Sequence, residues 1–147
     1  MSVDLPYINY DEPINSFKQY SLNEEYVGNW IDLGNIYRKT VACGAEPSSN
    51  YYSTYTPINI PDLDKVIKIE GIMLKDSGGC YPLPYAAAVN SGEFMLYSVD
   101  VAYFTSASGG DGEWDIVIRR GCNSTSGITS LGITQIYVTI YYTKKAT

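Results

Sequence analysis

Ile133-Thr-Gln-Ile-Tyr-Val-Thr-Ile-Tyr-Tyr-Thr143 is the stretch whose reading decides the fold. Ile136, Val138, Ile140 and Tyr142 fall on one face of an extended chain; Tyr137, Thr139, Tyr141 and Thr143 fall on the other. Side chains alternate across a strand, so this pattern describes an apolar face turned to a core and an aromatic, polar face turned outward. The same period of two recurs upstream. Ile67, Ile69, Gly71 and Met73 oppose Val66, Lys68, Glu70 and Ile72, and Trp114, Ile116 and Ile118 alternate with Asp115, Val117 and Arg119. No stretch keeps apolar residues at helical spacing beyond two turns.

Turn chemistry separates these runs. Val27–Ile31 and Ile36–Val41 flank Asp32-Leu33-Gly34-Asn35, which predicts a hairpin. Asp76-Ser77-Gly78-Gly79 predicts another turn, and Pro82 and Pro84 confine Tyr81–Tyr85 to a sheet edge or an extended connection. Phe94–Ser106 reads as one strand or two with a kink near Asp100, and Ala45–Asp64 reads as loop. Seven or eight short strands with regular turns predict an all-β domain, an antiparallel β-sandwich or jelly-roll-like fold, over residues 25–147. Residues 1–24 lack any period. They hold Pro6, Pro13, Leu5, Tyr7, Ile8, Tyr10, Ile14, Phe17 and Tyr20, and read as an extended arm too apolar to stay unpacked.

The 147 residues fit one domain, and their 15 tyrosines and 13 glycines suit sheets and turns. A net charge of −6 with scattered Lys and Arg argues against nucleic acid and anionic membrane as partners. No secretory signal or membrane-length apolar run is present in the sequence. Cys43, Cys80 and Cys122 have no metal-ligand spacing and read as reduced thiols.

The absence of histidine removes the commonest general base and the usual nucleophile pairs. Cys122 follows Arg119 and Arg120, a weak signal for an activated thiol. Asp100, Asp111, Glu113 and Asp115 are the candidate acid pairs. Glu113 and Asp115 would sit about 7 Å apart on one strand face, within the inverting-glycosidase range, yet they read better as a solvated strand edge. The segment at Asp111 lacks an EF-hand pattern, and Gly109, Gly110 and Gly112 lead into no helix. The expectation is therefore no catalytic centre, no cofactor and no metal. Tyr51, Tyr52 and Tyr55, in a polar stretch, and the loop tip at Gly110 and Asp111 are the candidate ligand- or partner-binding positions, since tyrosine offers a broad rigid contact with a polar tip. Leu5, Tyr7, Tyr10, Ile14, Phe17 and Tyr20 are the candidate anchoring residues of the arm.

Tyr26-Val-Gly-Asn-Trp-Ile-Asp-Leu-Gly-Asn-Ile-Tyr-Arg-Lys-Thr-Val41, then Ala42-Cys43-Gly44-Ala45, the strand at Asp64–Gly71, Pro82-Leu83-Pro84-Tyr85 and Tyr137-Val-Thr-Ile-Tyr-Tyr-Thr-Lys144 follow one another in an order that resembles a domain of bacteriophage and prophage structural proteins. That domain stands at the C-terminal end of tail-fibre, baseplate and related virion appendage proteins. The resemblance covers residues 20–145 and implies a β-sandwich, often a homotrimer, in a virion assembled in a bacterial cytoplasm. Its implied partners are other virion proteins and a host cell-surface glycan or protein. The turn Asp32-Leu33-Gly34-Asn35 is longer than the family's Asp-Gly, and no fibre shaft precedes the domain. A capsid decoration or fibre-attachment protein with no receptor role, anchored by its arm to capsid, collar or tail, is the alternative; a glycan depolymerase ranks third.

Overall fold

The structure, a computed structural model, describes residues 21–49, 51–90, 92–104, 112–123 and 130–146, leaving aside the side chains of 89 and 90. Nine strands and no helix make up these residues: β1 (Glu25–Trp30), β2 (Gly34–Gly44), β3 (Ser53–Pro57), β4 (Leu63–Lys75), β5 (Cys80–Leu83), β6 (Tyr85–Asn90), β7 (Glu93–Phe104), β8 (Glu113–Cys122) and β9 (Ile133–Lys144). They form two antiparallel sheets, ordered β1-β2-β9-β4-β5 and β3-β8-β7-β6, packed as a β-sandwich. With no helix among the described residues, none is long and apolar enough to cross a membrane.

β9 lies at the centre of the five-stranded sheet, between β2 and β4. Its face of Ile136, Val138, Ile140 and Tyr142 is wholly buried, and it meets Ile116 and Ile118 of β8 and Met95 and Tyr97 of β7 in one core. Each such aliphatic side chain contributes about 1.5–3 kcal/mol by leaving water. On the outer face, Thr40 and Thr139 share a hydroxyl–hydroxyl hydrogen bond of 2.7 Å, and Arg38 donates to Glu25 at 2.9 Å. These contacts explain why the expected polar face of β9 is partly buried.

Several expectations change in detail. The first hairpin turns through Ile31, Asp32 and Leu33, with Trp30 opposite Gly34 and the Leu33 N–H bonded to the Trp30 carbonyl at 3.3 Å. Gly34 takes φ 75°, the left-handed residue that a three-residue hairpin loop requires. The 45–64 stretch contains β3, because Ser53-Thr-Tyr-Thr-Pro57 is β-branched and aromatic and finds an edge position on β8. β7 is one unbroken strand. β4 follows the expected alternation only from Lys68 onward. A register shift between Val66 and Lys68 lets Val66 pack against the core instead of sharing the face of Lys68. Pro82 does lie in an edge strand, and the chain passes at Pro84, after a cis Leu83–Pro84 bond, from β5 in one sheet to β6 in the other. No disulfide joins the three cysteines. Cys80 is exposed, Cys43 and Cys122 are buried, and burial pushes the Cys43 thiol up to about 11.

Residues 21–24, assigned to the arm by sequence, are fastened to the sandwich. The Thr40 N–H donates to the Ser21 carbonyl at 2.9 Å, and Glu24 accepts from the Tyr142 hydroxyl and the Lys144 ammonium. Burial alone would raise the Glu24 carboxyl, but these two donors outweigh it and hold the carboxyl below its ordinary value. A carboxyl depressed in the folded state stabilises fully above its unfolded value and loses that contribution as pH falls through the folded value. Glu24→Gln is therefore expected to flatten the fall of the urea midpoint between about pH 5 and about pH 3. An unchanged acid limb would remove Glu24 from the acid response. The same contact raises Lys144, and burial with Glu24 raises Tyr142, so their contribution is lost instead on the alkaline side.

Candidate binding surface

The outer face of the four-stranded sheet gathers the tyrosines singled out by sequence. β8 places Arg119 between Ser53 of β3 and Ser98 of β7, and Val117 between Tyr55 and Asp100. On β7, Met95 and Tyr97 turn into the core, which leaves Phe94 and Leu96 on the opposite face. Tyr52, Tyr55, Phe94 and Leu96 remain 47 to 62% exposed, and Tyr55 meets Phe104 edge to face with ring centroids 5.4 Å apart. In their midst the Arg119 guanidinium lies 3.6 Å from the Asp100 carboxylate.

Tyr51 and Tyr52 form the rim. The Tyr51 N–H donates to the Arg120 carbonyl at 2.7 Å, the Arg120 N–H donates to the Tyr52 carbonyl at 3.2 Å, and the Tyr51 hydroxyl donates to the Cys122 carbonyl at 2.9 Å. These bonds hold Tyr51 at φ 65°, a left-handed conformation that costs a non-glycine residue roughly 1–2 kcal/mol. Its ring stays largely in solvent. A hollow of about 280 Å³ beside it is lined by Tyr51, Tyr52, Leu96, Ser98 and Arg119 among others.

The arrangement offers aromatic and aliphatic anchors around an arginine, the composition typical of protein contact surfaces. It brings Tyr51, Tyr52 and Tyr55 to one face and its rim and adds Phe94, Leu96 and Arg119, which sequence reasoning missed. Phe94 and Leu96 alternate with the equally apolar Met95 and Tyr97, so period alone could not say which pair faces out. Gly110 and Asp111, and the arm positions Leu5, Tyr7, Tyr10, Ile14, Phe17 and Tyr20, lie outside the described residues.

Of the described candidates for chemistry, Asp100, Glu113 and Asp115 share the outer face of the four-stranded sheet, and Cys122 lies on its core face. Asp100 is paired with Arg119 and accepts the Val101 N–H at 2.8 Å. Glu113 is exposed, whereas Asp115 is buried on β8, an interior strand of its sheet, which replaces the expected solvated edge. Cys122 is buried at the end of β8, with Arg119 and Arg120 on opposite faces of the strand. No cluster of three metal-ligating side chains occurs among the described residues.

No family model matches the chain, and neither a curated protein nor a solved structure matches it.

Proposed function

We propose that the chain is a non-catalytic binding module of a bacteriophage virion appendage, docking on a partner through the outer face of its four-stranded sheet. The observation that carries the binding role is the exposed cluster of Tyr52, Tyr55, Phe94 and Leu96 around Arg119. A soluble sheet normally presents polar residues on its outer face, and several exposed aromatic and apolar side chains there mark a contact site. The virion setting rests on the order of motifs that resembles phage appendage domains. The partner is a virion protein or a host-surface component, and the arm serves as the anchor.

The alternative, a capsid decoration or fibre-attachment role without receptor binding, uses the same surface. Mass spectrometry of purified particles from the strain encoding the chain should detect it, and Leu96→Glu should reduce roughly tenfold or more its incorporation when the partner is a virion protein, or its adsorption to host cells when the partner is a host-surface component, as expected from placing a charge in an apolar contact. Absence of the chain from the particles would refute the reading. Adsorption of the purified protein to host cells separates the two roles, since only the receptor-binding module adsorbs.

A further inference from the structure

A second concavity lies at one end of the sandwich, where the β3–β4 connection meets the end of β7, the start of β8 and the residue after β9. Its volume is about 780 Å³, within the usual span of small-molecule sites. Its deeper lining is apolar: Ile60 and Leu63 are buried there. Two aromatic rings line one side. Tyr103 and Trp114 are directly opposed across β7 and β8, with centroids 5.4 Å apart and planes at 61°, and Tyr103 is half exposed.

The remaining lining is polar and mixed. Asp64 and Glu113 bring acceptors, Lys145 brings donors, and Asn59, held at φ 61°, brings both. This combination narrows the occupant. Two carboxylates repel a phosphate or another acid. Lys145 disfavours a simple cation, and the polar residues disfavour a purely apolar molecule. An uncharged ring with an apolar C–H face and several hydroxyls uses every element: the aromatic pair takes the face, and the carboxylates, amide and ammonium take the hydroxyls as acceptors and donors.

We infer that this cleft binds a neutral saccharide. Its lining shares no residue with the docking face, although Glu113 lies opposite Phe104, the ring that Tyr55 meets.

The test uses the full chain with Trp30→Phe, which leaves Trp114 as the sole tryptophan reporter of the two in the sequence. It is titrated with a glucose hexasaccharide and, separately, with an N-acetylglucosamine hexasaccharide, up to their solubility. A saturable change in Trp114 fluorescence with one of them is expected. Tyr103→Ala should then weaken binding roughly tenfold, the order for one lost aromatic contact and its buried area. Glu113→Gln, an exposed change with little bearing on folding, should weaken it several-fold, and Tyr103→Phe should retain most of it. No saturable response to either sugar overturns the inference. So does binding that survives both Tyr103→Ala and Glu113→Gln, or a saturable response to guanidinium or inorganic phosphate alone.

Discussion

Glu46→Ala is expected to remove about 3–5 kcal/mol of stability, the cost of leaving a buried charge without its partner. The Arg120 guanidinium is 3% exposed and the Glu46 carboxylate 8%, with Nη1 and Oε1 3.6 Å apart. Glu46 also accepts from the Tyr97 and Ser130 hydroxyls, and the Tyr97 oxygen accepts the Leu131 N–H at 3.4 Å. Removing the carboxylate strands a cation and takes the acceptor from the buried Tyr97 hydroxyl at once. Burial and the Glu46 charge together push the Tyr97 phenol well above its usual range, so it stays a neutral donor. The double change Glu46→Ala with Arg120→Met should recover much of the loss, because an apolar replacement of a buried pair is often neutral or better. Urea midpoints at constant m measure both variants. A single-variant loss below about 1 kcal/mol would show that water already compensates Arg120.

Gly71→Val is expected to cost about 3 kcal/mol, at the upper end for overpacking, and Gly71→Ala somewhat less. An added Cβ at Gly71 would lie 2.6 Å from Leu83 Cβ and 2.9 Å from Leu83 Cδ1. Gly71 sits between Val138 of β9 and Leu83 of β5, and the buried Leu83 side chain fills the space that the glycine leaves. Because the nearest atom is Leu83's own Cβ, Leu83→Ala should not rescue Gly71→Ala, whereas a cycle with Leu83→Gly should show positive coupling. Full additivity in that cycle would mean the backbone of β5 moves aside instead.

These two positions also mark how far the sequence could be read. Gly71 was legible as a member of the apolar face of β4, but nothing local told that its missing side chain is replaced by Leu83, beyond a turn. The long alternations of β8 and β9 were legible because each strand buries one face deeply enough to demand a strict period. β3 was not: five residues among Ser, Asn and Pro become a strand only because β8 offers an edge. The shift at Val66 was hidden for the same reason, since register is settled by the partner strand. Glu46 and Arg120 are charges far apart in the chain, and the sandwich alone brings them together. Of the candidate surface, Tyr51, Tyr52 and Tyr55 stood out by residue type. Phe94 and Leu96 required knowing which side of β7 is the core. The cleft at Tyr103 and Trp114 assembles from four separate segments and left no local motif.

Hydroxyl-radical footprinting of purified particles and of the cell-adsorbed protein against the isolated protein tests the docking claim most directly. Tyr52, Tyr55, Phe94 and Leu96 are expected to lose reactivity together, in the particle for a virion partner or on adsorption to host cells for a host partner, while exposed Trp30 and Ile31, at the first hairpin, stay reactive. Equal reactivity of the four residues in the isolated protein, in the particle and in the cell-adsorbed state would contradict it.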